Sequence, residues 1–209
     1  MPMTDPLQSF SMAGKVVWIV DASTRLGARF ARLIARAGAQ VAIGAQHSWQ
    51  LDQLAADLRC EGAVVLTVSL NSECRVSVEA ALATIQECLG NVDVLINNSG
   101  EHEYTPLNDH IVHCTNLHMM NSEHGGSIVT IEPPSSAISE PNPCLRPNSS
   151  LIRMSRALTQ SLAPHRVRVN VIAAGHGDNP RLKESRRSSS MTCTLVIEQD
   201  STQITTLCS

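Results

Sequence analysis

The chain reads as an α/β protein, a doubly wound parallel sheet in a single domain. Three observations predict it. Short β-branched runs alternate with amphipathic helical stretches along most of the length. Those runs are apolar throughout rather than alternating, as strands covered on both faces are. The 209 residues, 43% apolar and 17% charged, contain no linker and suit one sizeable core.

The elements follow in order. "VVWIV" (16–20) has strand length, and "RLGARFARLIARAG" (25–38) follows with Phe30, Leu33 and Ile34 at helical spacing. "VAI" (41–43) is the second strand. Ser48 is placed to cap "WQLDQLAADLRC", whose Leu51, Leu54, Ala55 and Leu58 form one stripe. "AVVLTV" (63–68) is the third strand. Ser77 is placed to cap "VEAALATIQECLG", with Val78, Leu82, Ile85 and Leu89 inward and Gly90 as its stop. "VDVLIN" (92–97) and "SIVTI" (127–131) are strands, "SLIRMSRALTQSLA" (150–163) a helix with Leu151, Leu158 and Leu162 inward, and "RVNVIA" (168–173) a strand. The remainder, 176–209, is polar and Ser/Thr-rich. It is expected to be largely irregular, with only "CTLVI" ordered.

Charge and composition exclude several functions. The net charge is −3 with no basic block, which argues against nucleic acid as a partner. No apolar run is long enough to span a membrane, and the polar, Pro-broken start does not read as a signal peptide. Seven scattered cysteines without a C-x-x-C pair fit reduced thiols, hence a cytoplasmic protein. "DHIVHCTNLH" gathers His110, His113, Cys114 and His118, with His102 and His124 as further donors. No second cluster with structural-zinc spacing accompanies them, so a polar helix with surface imidazoles is the simpler reading and no metal is expected.

The first strand runs into "VDASTRLGARFA". A dinucleotide site needs glycines at such a turn, so that the backbone closes tightly and a pyrophosphate reaches the helix N-terminus. Here the chain resembles the short-chain dehydrogenases/reductases, whose turn reads Thr-Gly-x-x-x-Gly-x-Gly. The resemblance rests also on "GKVVWIV", "NVDVLINNSG", "TNL", "GGSIVTI" and "LAPHRVRVNVIAAG", in the family's order over residues 14–175, with "DSTQIT" (200–205) as a fainter echo of the family's last segment. It implies a Rossmann-like fold and an NAD(P)-dependent oxidoreductase of the carbonyl reductase or alcohol dehydrogenase class. By this likeness Ser23, Arg25, Leu26, Gly27, Asn71, Asn98, Ser99 and Gly100 are the cofactor-binding candidates.

The departures are physical. Asp21 and Arg25 stand on the first two glycine positions. Asp21 brings a carboxylate and a Cβ to the path of an anion, while Arg25 offers a cation or is a solvated loop charge. Gln46 after the second strand is neither an acid for a ribose 2′-hydroxyl nor an Arg for a 2′-phosphate, so NAD or NADP, bound weakly or not at all, is the expectation. Asn71 replaces an adenine-binding Asp. Asn97 and Asn98 more often brace the strand end than touch cofactor, and by the resemblance Ser99 and Gly100 are the better contacts.

The family donates a proton from a Tyr supported by a Lys four residues on, with a Ser and an Asn. Counting back from "RVN" puts Cys144 and Asn148 on the Tyr and Lys positions. Asn116 matches the Asn as a vestige, and the Ser position falls on Glu132 or Pro133, near Ser135 and Ser136. The chain holds one tyrosine, Tyr104, and two lysines, Lys15 and Lys183, so no Tyr-x-x-x-Lys exists in it. Pro147 disfavours helix for Arg146, so the helix is expected to start at Asn148 or Ser149, and Cys144 and Asn148 then share no helical face. The stretch between Gly100 and Gly125 is short for the family's loop and long helix, so the helix between the fourth and fifth strands is expected to be shortened, with a weakened interface in any homo-oligomer. Three readings stand at this point: an inactive or nearly inactive relative, an active oxidoreductase with altered acid chemistry, and a non-catalytic binding or scaffold protein. A small-molecule dinucleotide is the most that any of them binds.

Overall fold

The computed structural model of the chain describes residues 11–46, 49–98, 110–132, 149–173, 195–199 and 203–207, and statements of absence below refer to these. The elements run β1 (Val16–Val20), α1 (Arg25–Arg36), β2 (Gln40–Ala45), α2 (Trp49–Cys60), β3 (Val65–Ser69), α3 (Arg75–Cys88), β4 (Val94–Asn97), α4 (His110–Met120), β5 (Gly126–Glu132), α5 (Ser149–Leu162), β6 (Val167–Ala173), β7 (Leu195–Gln199) and β8 (Gln203–Leu207). Six strands form one parallel sheet in the order β3-β2-β1-β4-β5-β6. This is the doubly wound, Rossmann-like architecture the sequence predicts.

Every residue of β1 is buried, because its alternate side chains enter two different cores. Val16, Trp18 and Val20 face α3 and α4, packing with Val78, Leu82 and Ile85 and with Ile111 and Met119. Val17 and Ile19 face the other way, with Ala31 of α1 and Leu51, Leu54, Ala55 and Leu58 of α2. The strand order reverses between β1 and β4, and such a switch point opens a crevice at the carboxyl ends of the strands. At the opposite end, Asp93 accepts from Lys15 Nζ at 2.8 Å and from the Val16 N–H at 2.9 Å, tying β1 to the approach of β4. At the outer edge, the Arg59 guanidinium donates to the Val65 carbonyl (2.9 and 3.3 Å), covering part of the edge strand β3.

Three expectations need correction. Ser77 does not cap α3: the helix begins at Arg75 after Cys74, and the Ser77 Oγ instead accepts from the Asn71 N–H at 2.9 Å. Ser77 satisfies a loop donor that lies beside the helix rather than one of the helix's own. Leu33 is 49% exposed, because Phe30, Ala31 and Ile34 already fill the face of α1 that meets the sheet. The C-terminal region holds more order than "CTLVI": β7 pairs antiparallel with β8, which includes Gln203, Ile204 and Thr205. The predicted helix start holds, with α5 beginning at Ser149, and Gly90 follows the end of α3 at φ 100°, a conformation that favours glycine.

Candidate functional site

The crevice is bounded first by the β1–α1 turn. Asp21 takes φ 51°, the left-handed conformation that a glycine adopts without strain. The chain thus keeps the glycine-type turn with a non-glycine residue in it. Thr24, singled out by no motif, is the centre of the turn. It caps α1, its Oγ1 accepting from the Gly27 N–H at 3.1 Å and from Asn98 Nδ2 at 2.8 Å. The same hydroxyl donates to the Asp21 carbonyl at 2.9 Å, so its one proton and both lone pairs are used. A threonine three residues before Gly27, at the end of an apolar strand, is the N-cap signal that would have found it.

Gly27 is the glycine the turn cannot lose. A Cβ there would run into the Asp21 carbonyl and come within 2.8 Å of the Ala22 Cα. Leu26 packs at the rim of the α1–α2 core, Ser23 is half-buried and Arg25 exposed. Asn98 is 7% exposed and acts as a brace, its amide reaching Thr24 and, at 3.5 Å, the Asp21 carbonyl. Asn71 is exposed after β3, where its Oδ1 accepts from the Glu73 N–H at 3.0 Å. Gln46 is exposed at the end of β2.

The second wall is α4. Asn116 is 6% and Thr115 0% exposed, yet neither the Asn116 Oδ1 nor the Thr115 Oγ1 has a hydrogen-bond partner. A buried carbonyl or hydroxyl left so costs ~1–3 kcal/mol. Cys114 is buried beside them, and no three His, Cys, Asp or Glu side chains gather into a metal site among the described residues. His118 turns toward the loop before β4, its Nε2 accepting from the Val92 N–H at 3.3 Å, and burial lowers its pKa below the usual imidazole range. Ser99, Gly100, Cys144, Asn148 and the candidates at 133, 135 and 136 lie outside the described residues. Glu132 is the last residue of β5.

The geometry fits a dinucleotide in two respects: a close backbone approach at Gly27 under a left-handed turn, and an orphaned buried acceptor on Asn116. One helix N–H, that of Gly27, is already taken by Thr24.

A family model described as short chain dehydrogenase matches residues 15–112. Over these residues, just under half of its length, the chain is similar to the short-chain dehydrogenase/reductase family. It is 25% identical over 183 residues to an uncharacterized oxidoreductase of Methylorubrum extorquens, covering 79% of this chain and 74% of that one. It is 29% identical over 100 residues to gluconate 5-dehydrogenase of Gluconobacter oxydans, covering 48% of this chain and 39% of that one. Among solved structures, a metagenomic short-chain oxidoreductase in complex with NADP superposes with a TM-score of 0.61 at 21% identity, over 78% of this chain and 83% of that one. NAD+-bound xylitol dehydrogenase superposes at 0.69 and 20% identity, over 83% and 74%. These two likenesses show the shared fold, and no described helix is long and apolar enough to cross a membrane.

Proposed function

We propose that this relative of the short-chain dehydrogenases/reductases binds a nicotinamide dinucleotide weakly and reduces carbonyls not at all, or nearly so. The observation that carries the reading is where its lysine is spent. Lys15, one of two in the chain, is ion-paired with Asp93 at the amino end of β1, away from the carboxyl ends of the strands. The other, Lys183, is far in sequence from the single tyrosine, Tyr104, so no lysine follows a tyrosine at the required spacing. A bound dinucleotide supplies hydride chemistry. The chain's part would be to hold it over Gly27 and Leu26, against Ser99 and Gly100, and to deliver a proton, and no supported donor exists for that last step. Cys144 and Asn148 occupy the donor positions by alignment without forming an acid pair. The setting is cytoplasmic, with neither nucleic acid nor membrane as partner, and any self-association rests on a reduced α4 interface.

The test is calorimetry of the full chain with NADPH and NADH, beside steady-state oxidation of each with a generic ketone. Weak heats without turnover are expected. Turnover at the rate of an ordinary reductase overturns the loss of chemistry, and no binding of either dinucleotide overturns the binding. Cys144→Tyr with Asn148→Lys is expected to stay silent. A positioned acid contributes ~10²–10⁴-fold, so strong recovery in the double variant would mean that only the proton donor had been lost.

A further inference from the structure

The two end strands of the main sheet are protected differently. The order β3-β2-β1-β4-β5-β6 leaves β3 at one end and β6 at the other. β6 carries a charge in its own sequence, the exposed Arg168. β3 carries none: "AVVLTVS" (63–69) holds neither a charged residue nor a proline. Those are the residues that ordinarily keep an end strand from pairing with another chain. Val64, just before the strand, is 54% exposed. A short, uncharged, β-branched run at a sheet edge is the pattern that adds strand to strand.

The register fixes which backbone groups of β3 face outward. The Val41 N–H donates to the Val64 carbonyl and the Leu70 N–H to the Ala45 carbonyl, each at 2.9 Å. The even-numbered residues therefore turn their polar groups to β2. In an extended strand the N–H and C=O of one residue point the same way, and successive residues alternate. Val65, Thr67 and Ser69 turn theirs outward. Arg59, in the last turn of α2, reaches over this edge. Its Nη2 and Nε both donate to the Val65 carbonyl, at 2.9 and 3.3 Å.

The outward set is complementary to itself. A second copy turned two-fold about Thr67 sets its Thr67 against Thr67 and its Ser69 against Val65. Each pair would exchange N–H···O=C bonds in an antiparallel ladder. That ladder needs the Val65 carbonyl to accept from the Ser69 N–H of the second copy, and the Arg59 guanidinium already holds it.

We propose that Arg59 is an edge guard: by holding the Val65 carbonyl it keeps β3 from pairing, antiparallel about Thr67, with β3 of a second copy of this chain. The charge that β3 lacks is supplied by the neighbouring helix. The inference does not depend on the dinucleotide reading.

The test is Arg59→Met in the full chain, which keeps an apolar stem and removes every donor. Sedimentation should show a species of about twice the parent's mass, forming as concentration rises over a range in which the parent's mass stays constant. Hydrogen exchange should slow at the Thr67 and Ser69 amides of the associated variant. Adding Thr67→Pro deletes the central outward N–H and should return the mass to that of the parent. A bond that merely ties α2 to β3 would cost stability when lost and change no mass. Arg59→Met that keeps the parent's mass at every concentration therefore overturns the guard. So does association that leaves the Thr67 and Ser69 amides exchanging as in the parent, or that survives Thr67→Pro. Should Thr67→Pro fail to fold, the exchange measurement on Arg59→Met alone decides.

Discussion

In the β1–α1 turn one hydroxyl serves three polar groups, whereas on α4 two buried polar atoms serve none. Thr24 ties together Asp21, Gly27 and Asn98, all from elements that the sheet holds in place. Thr115 and Asn116 are at least as deeply buried but leave an oxygen each without a partner. The turn is thus self-sufficient: its geometry survives the loss of two glycines because local bonds define it. On α4 the Thr115 and Asn116 oxygens find no such partner among the described residues. The first kind of feature holds itself in place, while the second kind carries a cost.

The sharpest way to break this comparison is at the glycines. Gly27→Ala forces backbone against backbone at Asp21 and Ala22, and neither can move without unseating α1. A loss of about 3 kcal/mol in urea unfolding is expected, the upper end for overpacking. At Gly126 the three atoms nearest an added Cβ all belong to the Met119 side chain, which is buried but flexible, so Gly126→Ala should cost less than Gly27→Ala, about 1–2 kcal/mol. Equal losses at the two sites would mean the turn is no more rigid than the α4 side.

Two threonines give the next contrast. Thr24→Val removes a cap and strands the Asn98 amide, so a loss of about 2 kcal/mol is expected, with Thr24→Ser recovering most of it. Thr115→Val deletes a hydroxyl that has no partner, and should be neutral or stabilising by up to about 1 kcal/mol. A clear destabilisation at Thr115 would show that this oxygen is satisfied in solution, and the α4 wall would then be as complete as the turn.

Much of this was legible before any coordinates. All six strands of the main sheet and α1, α2, α3 and α5 lie where apolar runs and stripes put them, because a sheet covered on both faces writes its burial directly into Val, Ile and Leu; α4 was expected only from the family resemblance. The departure from a glycine turn was legible at Asp21 and Arg25, but its consequence was not. Whether Asp21 breaks the turn or merely strains it depends on Thr24 and Asn98, which are 74 residues apart in sequence and joined by a single hydrogen bond. The pairing of Arg32 with Asp57 and of Arg36 with Glu61, across α1 and α2, was equally hidden, since charge order along one helix says nothing of the helix beside it. Ser77 misled because a serine before an apolar stripe looks the same whether it caps its own helix or serves the preceding loop.

Asp21 offers a smaller test of the strained turn. Asp21→Gly keeps every bond its carbonyl makes and removes a Cβ from the left-handed region, which is worth about 1 kcal/mol of stabilisation. It should also tighten dinucleotide binding by withdrawing a carboxylate from the pyrophosphate path. Unfolding curves and calorimetry on one variant check both effects, and a less stable Asp21→Gly would mean the aspartate side chain is itself holding the turn.

The smallest expected effect returns to α4, at His118. Its Nε2 must be unprotonated to accept from the Val92 N–H, and burial alone pushes its pKa down. A base whose pKa is lower in the folded chain than in the unfolded one binds fewer protons when folded. Its contribution is therefore complete above the unfolded value of about 6.5, and is lost as pH falls from there toward the lower folded value. Below that lower value the loss levels off. Stability measured in urea should decline over this window in the parent. His118→Gln, which keeps an oxygen acceptor but does not titrate, should flatten the decline without abolishing the fold. If parent and variant lose stability in parallel, some other group governs the acid limb and His118 is no more than a passive filler. If the variant is flat, the link between the last turn of α4 and the approach to β4 is the first tie that acid loosens. The helix that bears Thr115 and Asn116 would then be the element that opens before the turn around Thr24 does.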